Sequence, residues 1–265
     1  MPLYKAEGIV LRRQPLGEAD RVVTLLTREY GKLRAAARGV RRTTSRLGAR
    51  VEPFTRGRFL LAKGKSLDVI TQVDVAEAFG GLRAGLHRTA YASFVAELVD
   101  RFLPERDRHE TVFTLLAATL AALAEADEED AELLALWFAL RLAAELGYRP
   151  ETESCVGCGR ALLRPAGGQG RPWWFSPALG GALCQACASR DPDAVRVPPG
   201  VLAMSGALLR LSAERLPRLR ISPDDRRDLA RLVQAHLEYR LEEKLRAPFV
   251  IGRLRLATTS PKMVR

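Results

Sequence analysis

A change in the spacing of apolar residues near residue 80 is the feature that most limits the fold of this chain. Before it, apolar and polar residues alternate, most regularly over 67–75. After it, apolar residues recur at every third or fourth position, first over 86–102. Alternation is typical of half-buried strands, and the longer period is typical of amphipathic helices. The sequence therefore predicts an α+β multidomain protein with an all-β N-terminal part and a helical remainder.

Residues 1–79 contain five short strand-like runs separated by turn residues. The runs are Gly8–Leu11, Arg21–Thr27, Leu33–Arg38, Phe54–Ala62 and a last run that starts at Leu67. No segment between them is long enough to form the helical crossover that parallel neighbours need. We predict a small, closed, five-stranded antiparallel barrel, with an OB-fold as the leading candidate. An SH3-like barrel and an open five-stranded sheet are the alternatives.

The predicted barrel is strongly basic over residues 28–58, which hold ten Lys or Arg against two acids. Like charges crowded on a small scaffold repel one another, and a bound polyanion relieves that repulsion. The phosphate backbone of a nucleic acid is the commonest such polyanion. The predicted DNA-binding residues are Lys32, Arg34, Arg38, Arg41, Arg42, Arg46, Arg50, Arg56 and Arg58. No element resembles a base-reading helix, so we expect binding without sequence specificity.

Charge is unevenly distributed along the chain, whose net charge is +11. Residues 1–80 carry 16 Lys or Arg and 8 Asp or Glu, whereas residues 81–150 carry 7 and 12. The N-terminal residues lack the pattern of a secretory signal, and no apolar run reaches the roughly 18 residues of a membrane helix. We therefore expect a cytoplasmic protein with no membrane partner.

The four cysteines form two Cys-x2-Cys pairs, Cys155 with Cys158 and Cys184 with Cys187. Two such turns supply four thiolates, the ligand set of a closed tetrahedral zinc site with no open position for chemistry. The pattern predicts one structural Zn²⁺, with a redox-active pair or an iron–sulfur cluster as alternatives. A zinc deaminase is excluded, because the His-x-Glu pair that it needs is missing.

An aromatic run, Trp173-Trp174-Phe175, lies between the two cysteine pairs. Aromatic side chains there could stack on nucleobases. A small module also needs aromatic mass to pack against its surroundings, and no basic cluster adjoins this run. We favour packing and keep base stacking as the alternative.

Helical spacing predicts helices at 82–102, 111–126, 130–146 and 199–215, and a last one from the Ser222 N-cap to Pro248. The predicted domains are an OB-fold at 1–79, a helical domain at 80–150 and 193–248 interrupted by a zinc-finger insertion at 151–192, and a tail at 249–265.

Motifs of common enzyme classes are missing from the chain. It has no phosphate-binding loop, dinucleotide fingerprint or nucleophile elbow, and no set of side chains suited to acid–base catalysis. Their joint absence favours a non-enzymatic binding protein. Two further hypotheses are an RNA-binding barrel with a zinc ribbon and a scaffolding protein that acts through its helical domain.

A series of short motifs, in order and at characteristic spacing, carries a family resemblance. The motifs are Glu7-Gly8-Ile9-Val10-Leu11, Gly17-Glu18-Ala19-Asp20-Arg21, Leu26-Thr27-Arg28-Glu29-Tyr30-Gly31-Lys32, Gly39-Val40-Arg41-Arg42, Ser45-Arg46, Glu52-Pro53-Phe54, Leu146-Gly147-Tyr148, Phe175-Ser176 and Gly180-Gly181-Ala182-Leu183 with the two cysteine pairs. The chain resembles the RecO family of bacterial DNA-repair and recombination mediators through about residue 190. The resemblance implies an N-terminal OB-fold, a helical domain and an inserted zinc finger.

The resemblance also implies a function. A RecO-like protein is expected to bind single- and double-stranded DNA and to anneal complementary strands coated with single-strand-binding protein. With RecR it helps to load RecA, and RecF is a further possible partner in the RecFOR pathway, in the nucleoid. In relatives the helical domain docks the acidic C-terminal tail of single-strand-binding protein, a role that the basic residues after 210 could serve here.

Overall fold

The computed structural model describes residues 2–162, 173–247 and 251. The chain folds into two compact units, Met1–Ala126 and Asp127–Arg265, and each is described by itself. The boundary between the two units lies in an acidic run, Glu125–Glu132, between the helices predicted at 111–126 and 130–146. The five-part domain division predicted from the sequence stays a prediction, and its tail at 249–265 lies outside the described residues apart from Ile251.

The first unit begins with a closed five-stranded barrel. Its strands are β1 (Leu3–Leu16), β2 (Asp20–Thr27), β3 (Gly31–Ala37), β4 (Arg56–Ala62) and β5 (Asp68–Glu77). The strand order is β1-β2-β3-β5-β4, and β1 pairs with β4 to close the ring. The ladders are antiparallel except for a short parallel one between β3 and β5. The predicted OB-like barrel is confirmed.

Alternation of side chains across the pleat builds the barrel core. Inward-facing residues form one buried cluster around Phe59, which is fully buried. Strand β1 is much longer than the four residues that the sequence predicted. It extends because its first half pairs with β4 and its second half with β2, with a register shift between Val10 and Arg12. Pairing with two partners orders residues that have little strand character of their own.

Two helices complete the first unit, α1 (Leu86–Phe102) and α2 (Glu110–Glu125). A short 3-10 helix, Gly80–Ala84, precedes α1, so the regular helix begins four residues later than expected. The Asp100 carboxylate of α1 forms ion pairs with Arg12 and Lys32 of the barrel. These contacts place α1 against the outer face of β1 and β3.

The described residues of the second unit include helices α3 (Glu128–Glu145), α4 (Pro199–Leu208) and α5 (Pro223–Leu241). The predicted cap of α5 is present, because the Asp225 backbone N–H donates to the Ser222 hydroxyl at 3.1 Å. Helix α5 ends seven residues before Pro248, where it was expected to end. Its backbone turns at Glu242, which has a φ of 54°, and the Leu245 N–H then donates back to the Glu238 carboxylate.

Residues after α4 and between the cysteine pairs form smaller elements. Helix α4 ends at Leu208, and a separate 3-10 helix at Ala213–Arg218 occupies the end of the longer predicted helix. A three-stranded sheet has the order β7-β6-β8, with β6 at Trp173–Ser176, β7 at Gly181–Leu183 and β8 at Val195–Val197. Among the described residues, no helix has the length and apolar character needed to cross a membrane.

Candidate nucleic-acid interface and metal centre

Seven of the nine basic residues predicted to bind DNA are exposed. They are Arg34, Arg38, Arg41, Arg42, Arg46, Arg50 and Arg58. In the part of the chain that the structure describes, none of the seven forms an ion pair. Arg58 differs slightly from the others, because it lies opposite Glu7 and Asp74 on the neighbouring strands. We call these seven residues the barrel cations.

The loop between β3 and β4 presents five of the barrel cations and is fixed to the barrel at both ends. At its start, the Gly39 N–H donates to Asp20 Oδ1 at 2.8 Å, and the Arg41 N–H donates to the Ala19 carbonyl at 3.0 Å. At its end, Arg50 Nη1 donates to the Val73 carbonyl at 2.9 Å. The loop therefore has a defined backbone path, and its charged side chains face solvent.

Lys32 and Arg56 are placed differently from the other seven predicted residues. Lys32 is only 9% exposed, and its ammonium group donates to the Asp100 carbonyl and lies 3.3 Å from that residue's carboxylate. Arg56 pairs with Glu7 at 2.7 Å and with Glu77 at 3.6 Å. Both cations already have protein partners, so the structure does not bring them into the exposed group.

Glu7 shows how firmly the paired arginines are held. Its carboxylate accepts hydrogen bonds from Arg56 at 2.7 Å and from Arg28 at 2.8 Å. Burial alone would raise the pKa of Glu7, but these two guanidinium groups outweigh it and hold that pKa below its ordinary value. Arginines in such networks stabilise the unit internally, whereas the barrel cations are available to a ligand.

The four cysteine sulfurs converge on one point in the second unit. All four Sγ atoms lie within 4.8 Å of one another, and those of Cys158 and Cys184 are 3.8 Å apart. Four sulfurs placed tetrahedrally about 2.3 Å from an ion would be separated by about 3.8 Å. Cys155, Cys184 and Cys187 are buried, while Cys158 is exposed. The donor set and its spacing therefore fit a structural metal ion.

Two of the four cysteines have pKa values that are shifted in opposite directions. Burial opposes ionisation of Cys155, but backbone N–H groups, chiefly that of Cys184 at 3.3 Å, outweigh it and lower the pKa to about 6. Burial and the three neighbouring cysteines raise the pKa of Cys187 to about 12. A bound cation would stabilise the thiolate forms of both residues.

The first cysteine turn requires its glycine. A Cβ atom at Gly157 would lie 2.9 Å from the Cβ of Cys187 and 3.0 Å from its Sγ. The Gly157 carbonyl accepts a hydrogen bond from Arg190 Nη1 at 2.7 Å, which ties the two turns together. Only a residue without a side chain allows the two turns to approach this closely.

The aromatic run between the cysteine pairs is used for packing. Trp173 and Trp174 are half-buried against the cysteine cluster, and Phe175 is fully buried. The ring of Phe175 meets that of His236 edge to face, with centroids 5.6 Å apart. This arrangement supports packing over base stacking for the three residues.

Together, the fold and the two sites define a class of protein. It combines an OB-like barrel, whose exposed cations form no ion pairs among the described residues, with a helical unit whose four clustered cysteines fit a metal ion. Two family models match the sequence of this chain. Residues 1–79 match the model described as recombination protein O N terminal, and residues 83–248 match recombination protein O C terminal.

Similar proteins cover almost the whole chain. A protein of Pelotomaculum thermopropionicum named DNA repair protein RecO is 42% identical over 247 residues, which is 93% of each chain. The protein of the same name from Symbiobacterium thermophilum is 38% identical over 97% of this chain and 100% of its own length. The chain belongs to the RecO family of DNA repair proteins. That family is named for its role in repair rather than for a catalysed reaction.

Proposed function

We propose that this protein binds single- and double-stranded DNA without sequence specificity and anneals complementary strands, without catalysing a chemical reaction. The main support for this proposal is the set of seven exposed barrel cations, which have no ion-pair partner among the described residues. The role of the family in DNA repair supports DNA as the polyanion. An intramolecular role for these arginines would instead leave them paired, as Arg28 and Arg56 are.

The proposed mechanism is electrostatic. Each arginine that neutralises a phosphate releases condensed counterions, and the gain in their entropy favours binding. Two strands held on the same cationic surface repel each other less than they do in free solution. Complementary bases can then meet and pair, and base pairing itself supplies the sequence match between the strands.

We propose that the partners are those of a recombination mediator. The protein would act on strands coated with single-strand-binding protein and, with RecR, promote RecA loading, with RecF as an indirect partner. The acidic C-terminal tail of single-strand-binding protein requires a cationic surface. Arg215, Arg218 and Arg220 follow residue 210, are exposed and form no ion pair among the described residues, which supports this placement. Such work would take place in the bacterial cytoplasm, at the nucleoid.

The metal in this proposal is a single zinc ion with a structural role. Cys155, Cys158, Cys184 and Cys187 would bind it through their thiolates and fill its coordination sphere. The ion would fix the two cysteine turns relative to each other. Metal analysis should find one zinc per chain, and replacing Cys184 with Ser should reduce that content.

Annealing of complementary strands coated with single-strand-binding protein tests the proposed function. Arg41→Glu/Arg42→Glu should reduce the annealing rate and the affinity for naked DNA at least tenfold. Arg227→Glu/Arg231→Glu makes the same change in net charge on α5, where each arginine pairs with a local aspartate, and should have little effect. Equal loss in both double variants would indicate a general charge effect and contradict a specific surface on the barrel.

Salt dependence provides a second test. If about six phosphates are contacted, the logarithm of the affinity for single strands should fall against the logarithm of salt concentration with a slope of roughly −4, from about 0.7 per contact. The variant Arg41→Glu/Arg42→Glu should have a shallower slope, because two contacts are lost. A slope near zero for the unaltered protein would refute phosphate binding. Parallel measurements with RNA of equal length test the preference for DNA.

A further inference from the structure

Two exposed tyrosines and one arginine from distant parts of the second unit meet on its surface. Arg240 Cζ lies 5.7 Å from the centroid of the Tyr148 ring and 5.5 Å from that of the Tyr239 ring. Tyr148 is 42% exposed and Tyr239 is 50% exposed. We call these three residues the tyrosine–arginine platform. The resemblance to a known family includes Tyr148 in a motif, but the proposed DNA-binding surface on the barrel makes no use of it.

The backbone of the platform is held rigidly. The Tyr148 N–H donates to the Ala143 carbonyl at 2.7 Å, and His236 Nε2 donates to the Tyr148 carbonyl at 2.7 Å. His236 is itself 1% exposed and packs against the buried ring of Phe175. Tyr239 and Arg240 belong to the last turn of α5. These contacts fix the backbone from which the two rings project.

The guanidinium group of the platform has unused hydrogen-bond donors. Within the described residues, Arg240 forms no hydrogen bond and no ion pair, and its Nε atom is buried without a partner. Its Nη2 atom lies directly over Gly180, where a Cβ atom would be only 2.5 Å away. A planar group with five donors is suited to a phosphate or carboxylate. Arg149, next to Tyr148, is also exposed.

Exposed tyrosine and arginine side chains are common both in protein interfaces and in single-strand binding sites. The Arg240 guanidinium group, which has no ion-pair partner among the described residues, and the exposed Arg149 favour the second kind of ligand here. Glu242 and Glu243 are exposed near the end of α5, so the local charge is weaker than that of the barrel cations. A ligand that is anionic but also stacks on rings fits these features best.

We propose that the platform binds single-stranded nucleic acid, with nucleobases stacked on Tyr148 and Tyr239 and a phosphate accepting hydrogen bonds from Arg240. The inference rests on the proposed DNA-binding function and adds a second contact, on the other unit from the barrel cations. The two contacts differ in kind, since the barrel recognises phosphate charge and the platform requires bases. Paired bases of a duplex are not available for stacking, so the platform would favour single strands.

Matched oligonucleotides with and without bases test this inference in the full-length protein. For an oligothymidylate, Tyr148→Leu/Tyr239→Leu should weaken binding roughly 5- to 30-fold, the loss of one or two stacked bases. For an abasic strand of the same length, the same variant should bind like the unaltered protein. The control Tyr148→Phe/Tyr239→Phe keeps both rings and should retain binding. Unchanged binding of oligothymidylate by the leucine variant would overturn the inference.

Photocrosslinking supplies a readout that does not depend on how the variants fold. An oligonucleotide containing 5-iodouracil should crosslink to Tyr148 or Tyr239 of the unaltered protein, and crosslinks found only on the barrel unit would overturn the platform. The proposed function is tested separately by Arg41→Glu/Arg42→Glu, which should weaken oligothymidylate and abasic strands alike. If that variant loses binding and the leucine variant does not, the barrel surface stands and the platform does not.

Discussion

The barrel and the cysteine module are stabilised in different ways. The barrel core is a cluster of thirteen buried residues, all apolar, with Phe59 among them. Among the described residues, the buried cluster around the cysteines has four members, and three of them are the predicted metal ligands Cys155, Cys184 and Cys187. Burial of apolar surface can stabilise the first region without help, whereas the second has too little of it. A metal ion bound by the four cysteines would compensate for the smaller hydrophobic core.

Removal of the metal should have the largest effect and should separate the two regions. Structural zinc contributes an apparent binding free energy of about 10–16 kcal/mol in small zinc modules, so a chelator should disorder the cysteine module. All three tryptophans, Trp137, Trp173 and Trp174, belong to the second unit, so their fluorescence reports on that unit alone. We expect a large change in tryptophan emission, while DNA binding by the barrel is retained.

One outcome of metal removal would contradict the view that the cysteine module needs metal and the barrel does not. If emission from Trp173 and Trp174 stayed unchanged after complete loss of metal, the apolar contacts of the module would be sufficient by themselves. Re-addition of zinc should restore the original spectrum. Cys184→Ser provides a matched variant, since it removes one ligand without a chelator and should give a similar change.

A cavity in the barrel core should destabilise the first unit and leave the second unit unchanged, the opposite of metal removal. Phe59 is fully buried, so Phe59→Ala should destabilise the first unit by about 3–5 kcal/mol, through lost burial and an unfilled cavity. Chemical denaturation followed by circular dichroism should show an earlier transition for that unit. Tryptophan emission should keep its midpoint, because the second unit is unaltered. A shift of both transitions would show that the two units unfold together. As a control, Phe59→Leu should destabilise the first unit less than Phe59→Ala.

The barrel and the cysteine cluster could be predicted from the sequence more completely than the pairing of individual surface residues. Alternating apolar residues predicted the five strands, and the two Cys-x2-Cys pairs predicted the four cysteines whose sulfurs converge. The ends of elements were less well predicted. Helix α5 ends at Leu241 because Glu238 accepts a hydrogen bond from the Leu245 backbone, a contact that no residue pattern reveals.

Long-range pairing explains the remaining differences. Lys32 has the same local surroundings as Arg34, yet its partner Asp100 lies 68 residues further along the chain. Tyr148 and Arg240 are also brought together by the fold alone. An exposed cation and a paired one look alike in a sequence, so a basic segment can predict a binding surface but not its individual members.

Acidification should affect the second unit before the first. Burial lowers the pKa of His236 below its ordinary 6.5, with Arg240 acting in the same direction and the hydrogen bond to Tyr148 opposing. Its contribution to stability is complete above pH 6.5 and is lost as the pH falls toward the lower folded-state value. We expect the free energy of unfolding of the second unit to fall by at most about 1.4 kcal/mol per pH unit in that range.

Asp68 gives the corresponding expectation for the first unit. Burial favours its neutral form, but hydrogen bonds from Tyr4 at 2.5 Å, the Gly64 N–H at 3.0 Å and Arg106 at 2.8 Å lower its pKa below 3.8. Its contribution is therefore present above pH 3.8 and is lost only below it.

His236→Gln, measured with excess zinc, should remove the loss of stability near pH 6 from the second unit alone. A persistent loss in that variant would assign it to another group.

The smallest predicted effect concerns the cap of α5, the helix that presents Tyr239 and Arg240. Ser222→Ala removes the acceptor of the Asp225 N–H and should destabilise the second unit by about 1 kcal/mol. Ser212→Ala is a matched control, since Ser212 precedes a 3-10 helix in the same unit without capping it through its side chain. Denaturant midpoints read by tryptophan emission should separate the two variants.

Because the platform lies at the opposite end of α5 from Ser222, oligothymidylate affinity should stay unchanged while stability falls. If affinity fell together with stability, the platform would depend on the whole helix rather than on the contacts of Tyr148 with Ala143 and His236.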